Sequence, residues 1–333
     1  MVASVVSLAL ACVGCGVLST KEDQRRASAL ANELFPGKLE VISAKSLFPA
    51  TLGSEVAFRL TDDADAVVRL RVDRQGDTCG REDCERALTK AVADARARAR
   101  DLRTLTTAFA DCGYEVHAVG QGHSVTQPWV VAAPTNATVT SVLAEIGACV
   151  EQWSRSRAAQ DVPPPASGTT SVLVTAPEAL RDRPTGGDDR PTLMRMTDPK
   201  LLGALSRGAY YRVSYPWRDG VADPGSGAAY LVRPVAERDR FGAEVREGVT
   251  PWLTASRPEA VLSTYTGAWR LLPGRVDRVK GYVLYCDEPD GRRRCLGQHA
   301  VAVTTDLSGK LIGEPTEVRD VRIGNGALRL PPL

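Results

Sequence analysis

The sequence predicts an α+β fold: two domains, each a mixed antiparallel sheet with packed helices, and each stapled by disulfides. Three observations lead there. Short alternating apolar runs bounded by Gly, Pro and Asp cluster together, and stretches of helical periodicity fall between the clusters instead of after every strand. The 333 residues exceed the usual ~100 to 200 of one domain. Beyond residue 20 the cysteines form an even set of six.

Taken in order, Lys21 to Leu34 reads as a helix stopped by Pro36-Gly37. KLEVISAKSLF, EVAFRL and AVVRLRVD follow as a small antiparallel meander, with TDDAD as a turn between the last two. The stretch EDCERALTKAVADARARARDLRTLTTAFADC then places Leu88, Val92, Ala95, Ala99, Leu102 and Phe109 near helical spacing, and Gly113 ends it. Strands YEVHAVG and PWVVAAP precede a second helix with the stripe Val142, Ile146, Cys149, Val150 and Trp153. AAQDVPPPASG comes next, and its three prolines favour an extended spacer. The expected division is therefore a leader at 1–14, an N-terminal domain at 15–157, a linker at 158–170 and a C-terminal domain at 171–333. In the last of these, SVLVTAP leads to the polar loop RDRPTGGDDRPT and the helix DPKLLGAL. Strands AYYRVSYPW and AAYLVRPV, a helix over VAERDRFGAEVREGV, and a mostly stranded remainder complete it.

Composition narrows the function classes. With 42 Lys+Arg against 40 Asp+Glu, the net charge of +2 gives no field to attract nucleic acid, so no nucleic-acid partner is expected. Arginine outnumbers lysine 35 to 7, the mark of GC-rich coding. The six cysteines, 79, 84, 112, 149, 286 and 295, suit an oxidising compartment. Proximity pairs Cys79 with Cys84 and Cys286 with Cys295, the second across a loop whose Asp290-Gly291 signals a hairpin turn. That leaves Cys112 and Cys149 to staple one helix to another. The competing arrangement is a zinc site of Cys79 and Cys84 with Cys112, His117 or His123, but the paired spacing is explained without metal, and neither metal nor cofactor is expected.

Searches for catalytic signatures find no G-x-S-x-G, S-x-x-K, P-loop, H-E-x-x-H or dinucleotide fingerprint. His117 and His123, with Ser124, would make a nucleophile and base only if a carboxylate oriented an imidazole. Two features remain as candidate binding surfaces. Arg96, Arg98, Arg100 and Arg103 crowd the long helix and could meet anionic headgroups or wall polymers, against a solvated face balanced by Asp94 and Asp101. Tyr210, Tyr211, Tyr215 and Trp217 crowd one strand, where Tyr211, Tyr215 and Trp217 share a face that is core or a stacking surface for a glycan or protein.

The first eighteen residues are all apolar or small, with a Val5 to Ala11 centre of signal-peptide length, and no charge before Lys21. An upstream start would restore the basic n-region. Val13-Gly14-Cys15-Gly16 resembles the lipobox of bacterial lipoprotein precursors, in which such a cysteine takes a diacylglyceryl thioether and becomes the first mature residue. The resemblance makes Cys15 the expected lipid acceptor and Cys12, after Leu10 and Ala11, the second candidate. More broadly the chain is similar to actinobacterial, Streptomyces-like cell-surface lipoproteins. That similarity implies a protein held by acyl chains on the outer face of the cytoplasmic membrane, with a binding or scaffolding role toward a cell-wall glycan or an envelope protein. An envelope hydrolase centred on His117 and His123, or an accessory or sensory domain for a membrane partner, is the alternative.

Overall fold

The computed structural model describes residues 20–50, 53–73, 78–79, 82–120, 125–165, 168–181, 189–266, 268–288, 295–323 and 326–332. The fold is α+β, with helices packed on mixed and antiparallel sheets. It divides into two compact units, one of residues up to Ala99 with Asp189–Leu193, the other of Arg100–Asp188 and Met194–Leu333. Cys12, Cys15, His123, Ser124 and the Asp290-Gly291 turn lie outside the described residues.

The first unit opens with helix α1 (Thr20–Leu34), followed by strands β1 (Leu39–Ser46), β2 (Gly53–Leu60) and β3 (Asp63–Asp73) in the antiparallel order β1-β2-β3. Within TDDAD the turn is confined to Thr61-Asp62 and the last three residues already open β3, where the Asp63 carboxylate accepts the Asp65 N–H at 3.1 Å. A two-stranded ribbon, β4 (Thr78–Cys79) with β5 (Glu82–Asp83), leads into helix α2 (Cys84–Asp111), whose Ala99–Arg100 bond is where the units divide. The period-2 strand residues Val56, Phe58, Leu70 and Val72 bury against the helical stripe Leu88, Val92, Ala95 and Ala99 and against Ala27 and Ala31 of α1. One polar tie lies in this core, the Ser54 hydroxyl donating to Asp23 at 2.7 Å.

The second unit is built on an eleven-stranded sheet. Its early elements are β6 (Ala118–Val119), β7 (Pro128–Val131), helix α3 (Val139–Ala158) and β8 (Thr169–Thr175). Helix α4 (Thr192–Met196), whose first two residues belong to the first unit, and α5 (Pro199–Leu205) come next, then β9 (Tyr210–Arg218), β10 (Val221–Ala222), β11 (Ala228–Val232) and helix α6 (Val235–Ser256). Strands β12 (Val261–Thr266), β13 (Arg270–Leu271), β14 (Arg278–Cys286), β15 (His299–Asp306) and β16 (Thr316–Val318) close the chain. The sheet order is β16-β15-β14-β13-β11-β9-β8-β7-β6, with β10 on β9 and β12 on β14.

The pairing of β7 with β8 is parallel, Trp129 opposite Leu173, and α3 makes the crossover between them. This corrects the expected domain boundary. The proline segment at 158–170 joins two neighbouring strands of one sheet, because a parallel pair needs a long connection and the chain returns through extended prolines after α3. Helix α3 is fastened on its way back. The Tyr215 hydroxyl donates to the Leu143 carbonyl at 2.7 Å, and the Ala222 N–H donates to the Ser154 hydroxyl at 3.0 Å.

Candidate functional site

Two of the three expected disulfides are formed, Cys79–Cys84 and Cys286–Cys295. The first lies beside a cavity of about 370 Å³ within the first unit. Ala27 and Leu30 of α1, Leu70 and Val72 of β3, and the two bonded cysteines give it apolar walls. Arg26, Asp83 and Glu85 add charge to the lining. Local sequence puts Asp83 there: it precedes α2, its carboxylate accepts the N–H groups of Glu85 at 2.9 Å and Arg86 at 3.3 Å, and the Arg86 side chain clamps it at 2.7 Å. The Arg86 hydrogen bond, with the backbone donors behind it, holds Asp83 below the usual carboxylate range, so Asp83 stands at the cavity as the ionised half of a pair with Arg86. Its volume lies in the ~300 to 1,000 Å³ range of small-molecule sites.

A second constellation surrounds the other disulfide. Strand register places Tyr285 of β14 opposite His299 of β15, with ring centroids 5.3 Å apart. The buried His299 accepts the Asp320 N–H on Nδ1 at 3.0 Å, which puts the ring proton on Nε2, 3.3 Å from the Asp287 carboxylate. Arg319 forks onto both Asp287 oxygens at 2.9 and 2.6 Å and donates to the Tyr285 hydroxyl at 3.1 Å. Tyr285 in turn donates to Glu317, which Arg257 also meets at 3.3 and 3.4 Å. Asp287 is held below its ordinary range by Arg319, Glu317 by the Tyr285 hydroxyl, and Arg319 is raised by Asp287. Both imidazole nitrogens are engaged and each carboxylate has a guanidinium. The group ties β14, β15 and β16 together, and each of these contacts is structural. His117 and His123 are the histidines that local sequence singles out, whereas the place of His299 depends on a strand register that local pattern does not show.

The third expected disulfide is corrected. Cys112, just past α2, and Cys149, buried in α3, are free thiols. The helices place Cys112 beside Gln152, one turn along α3 from Cys149, without a covalent bond between the two thiols. Each has an acceptor of its own, Gln152 Oε1 for Cys112 at 3.5 Å and the Glu145 carbonyl for Cys149 at 3.2 Å. Burial, with Cys112 second, pushes the Cys149 thiol up. Beside them Tyr114 donates to Glu145 at 3.0 Å, and burial together with that carboxylate raises its hydroxyl too.

The remaining sequence candidates are placed as follows. Arg96 pairs with Asp62 at 2.8 Å, and Arg98 is half-buried, its guanidinium pulled down by burial. Arg100 and Arg103 are exposed and belong to the second unit. Arg96 is held by Asp62 and Arg98 is half-buried, so these two do not belong to a freely exposed basic face. The aromatic strand is likewise occupied internally. Tyr210 packs on Trp129 with centroids 4.7 Å apart, Tyr211 reaches the Val276 carbonyl at 3.4 Å, and Tyr215 is fully buried. Trp217 donates to Thr170 at 2.7 Å and meets Trp153 edge-on at 6.2 Å. His117 has an almost buried side chain 3.3 Å from Glu115. Among the described residues no group of His, Cys, Asp and Glu is arranged to hold a metal, and no helix is long and apolar enough to cross a membrane. Comparison with protein-family models, curated proteins and solved structures finds no match for this chain.

Proposed function

We propose that the chain is an exported bacterial lipoprotein with a binding role at the cell envelope, anchored through acyl chains on Cys15 and taking a small, largely apolar ligand into the cavity of its first unit. The observation that carries this reading is the Cys79–Cys84 disulfide. It belongs to an oxidising compartment, and it walls a cavity of ligand size. The lipobox-like Val13-Gly14-Cys15-Gly16 supplies the anchor, and two or three acyl chains hold a protein stably at a bilayer where one is marginal. A scaffolding role toward wall glycan or an envelope protein is supported less, because the aromatic strand that would stack on a glycan is used for packing.

Intact mass of protein extracted from membranes of a Gram-positive host tests the anchor. The expected species begins at Cys15 and carries a diacylglyceryl group, whereas an unmodified chain retaining Met1 overturns it. Native mass spectrometry of the same preparation tests the cavity. A co-purifying small molecule is expected on the wild type and not on Leu30→Trp, whose indole would fill the space from a half-buried position. Equal retention by both proteins overturns the binding reading.

A further inference from the structure

We infer that Cys112 and Cys149 form a reversible thiol–disulfide exchange site, with Cys112 as the entry sulfur and a low-molecular-weight disulfide as its co-substrate. The inference is independent of the lipid anchor and of the cavity. Three observations carry it. Cys112 lies 3.5 Å from the Gln152 side chain, one turn along α3 from Cys149, and both thiols are unbonded in a chain whose other four described cysteines are joined in pairs. They differ in access: Cys112 is partly exposed at the end of α2, and Cys149 is buried behind it on α3. The dithiol is also satisfied as it stands. Cys112 donates to Gln152, itself held by Asp111 at 3.2 Å, and Cys149 donates to the Glu145 carbonyl. A disulfide whose reduced form has partners of its own is easier to reduce than one whose reduced form has none.

The chemistry follows from that asymmetry. The Cys112 thiolate attacks one sulfur of R–S–S–R, a Cys112–S–S–R bond forms, and the R–S–S bond breaks to release the first RS⁻, which is protonated by water. Cys149 then attacks the Cys112 sulfur, loses its proton to the departing second RS⁻, and the Cys112–Cys149 bond forms. Two electrons pass from the protein dithiol to the substrate disulfide, giving two RSH and one protein disulfide. Excess RSH runs the same steps backward. The burial that raises the Cys149 thiol keeps it protonated until the mixed disulfide is next to it.

The test uses the full chain equilibrated in buffers of reduced and oxidised glutathione, read by intact mass and peptide mapping. For the wild type, the expected result is a Cys112–Cys149 bond whose fraction follows the glutathione ratio without a lasting adduct, while Cys79–Cys84 and Cys286–Cys295 stay closed. Cys149→Ser is expected to retain one glutathione on Cys112. Cys112→Ser is expected to be modified at least about tenfold more slowly, because the remaining thiol is buried. Two results overturn the inference: a Cys112–Cys149 bond in the native protein that no glutathione ratio opens, or equal modification rates of the two single variants. Circular dichroism of each variant separates loss of exchange from loss of fold.

Discussion

At the scale of single residues, the second unit depends on a buried charge that local sequence does not advertise. Arg157 on α3 forms an ion pair with Asp101 on α2, lies 5.0 Å from the Trp153 ring centre, and donates to the Pro163 carbonyl at 2.9 Å. Trp153 donates to the same Asp101 at 3.2 Å. Desolvation outweighs the pull of Arg157 and raises the Asp101 carboxyl, so this pair fixes geometry more than it stabilises. Asp101→Ala is expected to cost about 3 to 5 kcal/mol in urea unfolding, since it strands a buried guanidinium. The double change Asp101→Leu with Arg157→Met should recover most of that loss. A double variant as unstable as the single one would show that the ion pair itself holds the helices. Trp153 lies on the buried stripe that helical period gives it. Asp101 reads locally as part of a solvated, charge-balanced face, because Arg98 stands three residues before it and a partner on another helix is not visible in the sequence.

At the scale of elements, strands and helices were legible because hydrophobic period is local, and the meander β1 to β3 and helices α1, α2 and α3 fall where the pattern puts them, whereas α6 continues past the expected end at Val249 to Ser256, through Pro251. What the pattern does not contain is which residues stand opposite one another. The Tyr285 and His299 pairing, and with it the Asp287, Glu317 and Arg319 network, exists only once β14 and β15 are in register. That network gives β14 to β16 an acid-sensitive seam. Asp287 and Glu317 have lowered folded values, so their contribution is present above the ordinary carboxylate range and is lost as pH falls through the folded values. Thermal stability is expected to drop below about pH 4, less steeply in Arg319→Met and less steeply at high salt, because the groups are partly exposed. Identical pH profiles for wild type and variant would dismiss the seam. Backbone approach sets another limit. Gly53 starts β2 at a φ of +129°, and an added Cβ would press on the Val72 carbonyl oxygen of β3. Gly53→Ala should therefore destabilise the first unit by about 2 kcal/mol or more in chemical denaturation.

For the whole molecule, the proline segment carries the lesson of scale. Three consecutive prolines are a local signal of extended chain, and local information cannot say whether an extended segment separates domains or merely crosses one. The division instead falls at Ala99, inside a helix with unbroken apolar periodicity and no breaker residue to announce it. Because β8 lies in parallel beside β7, a nick in the largely exposed stretch from Ala159 to Pro164 is expected to fall within one folded body. A protease that nicks it should yield two fragments that co-elute on gel filtration and part only in denaturant, whereas independent domains would separate at once. The same geometry makes the position a split point: two separately expressed halves, one ending after α3 and one beginning at β8, would each carry an open strand edge and should reassemble by complementation, so this loop is the place to install a reporter of assembly.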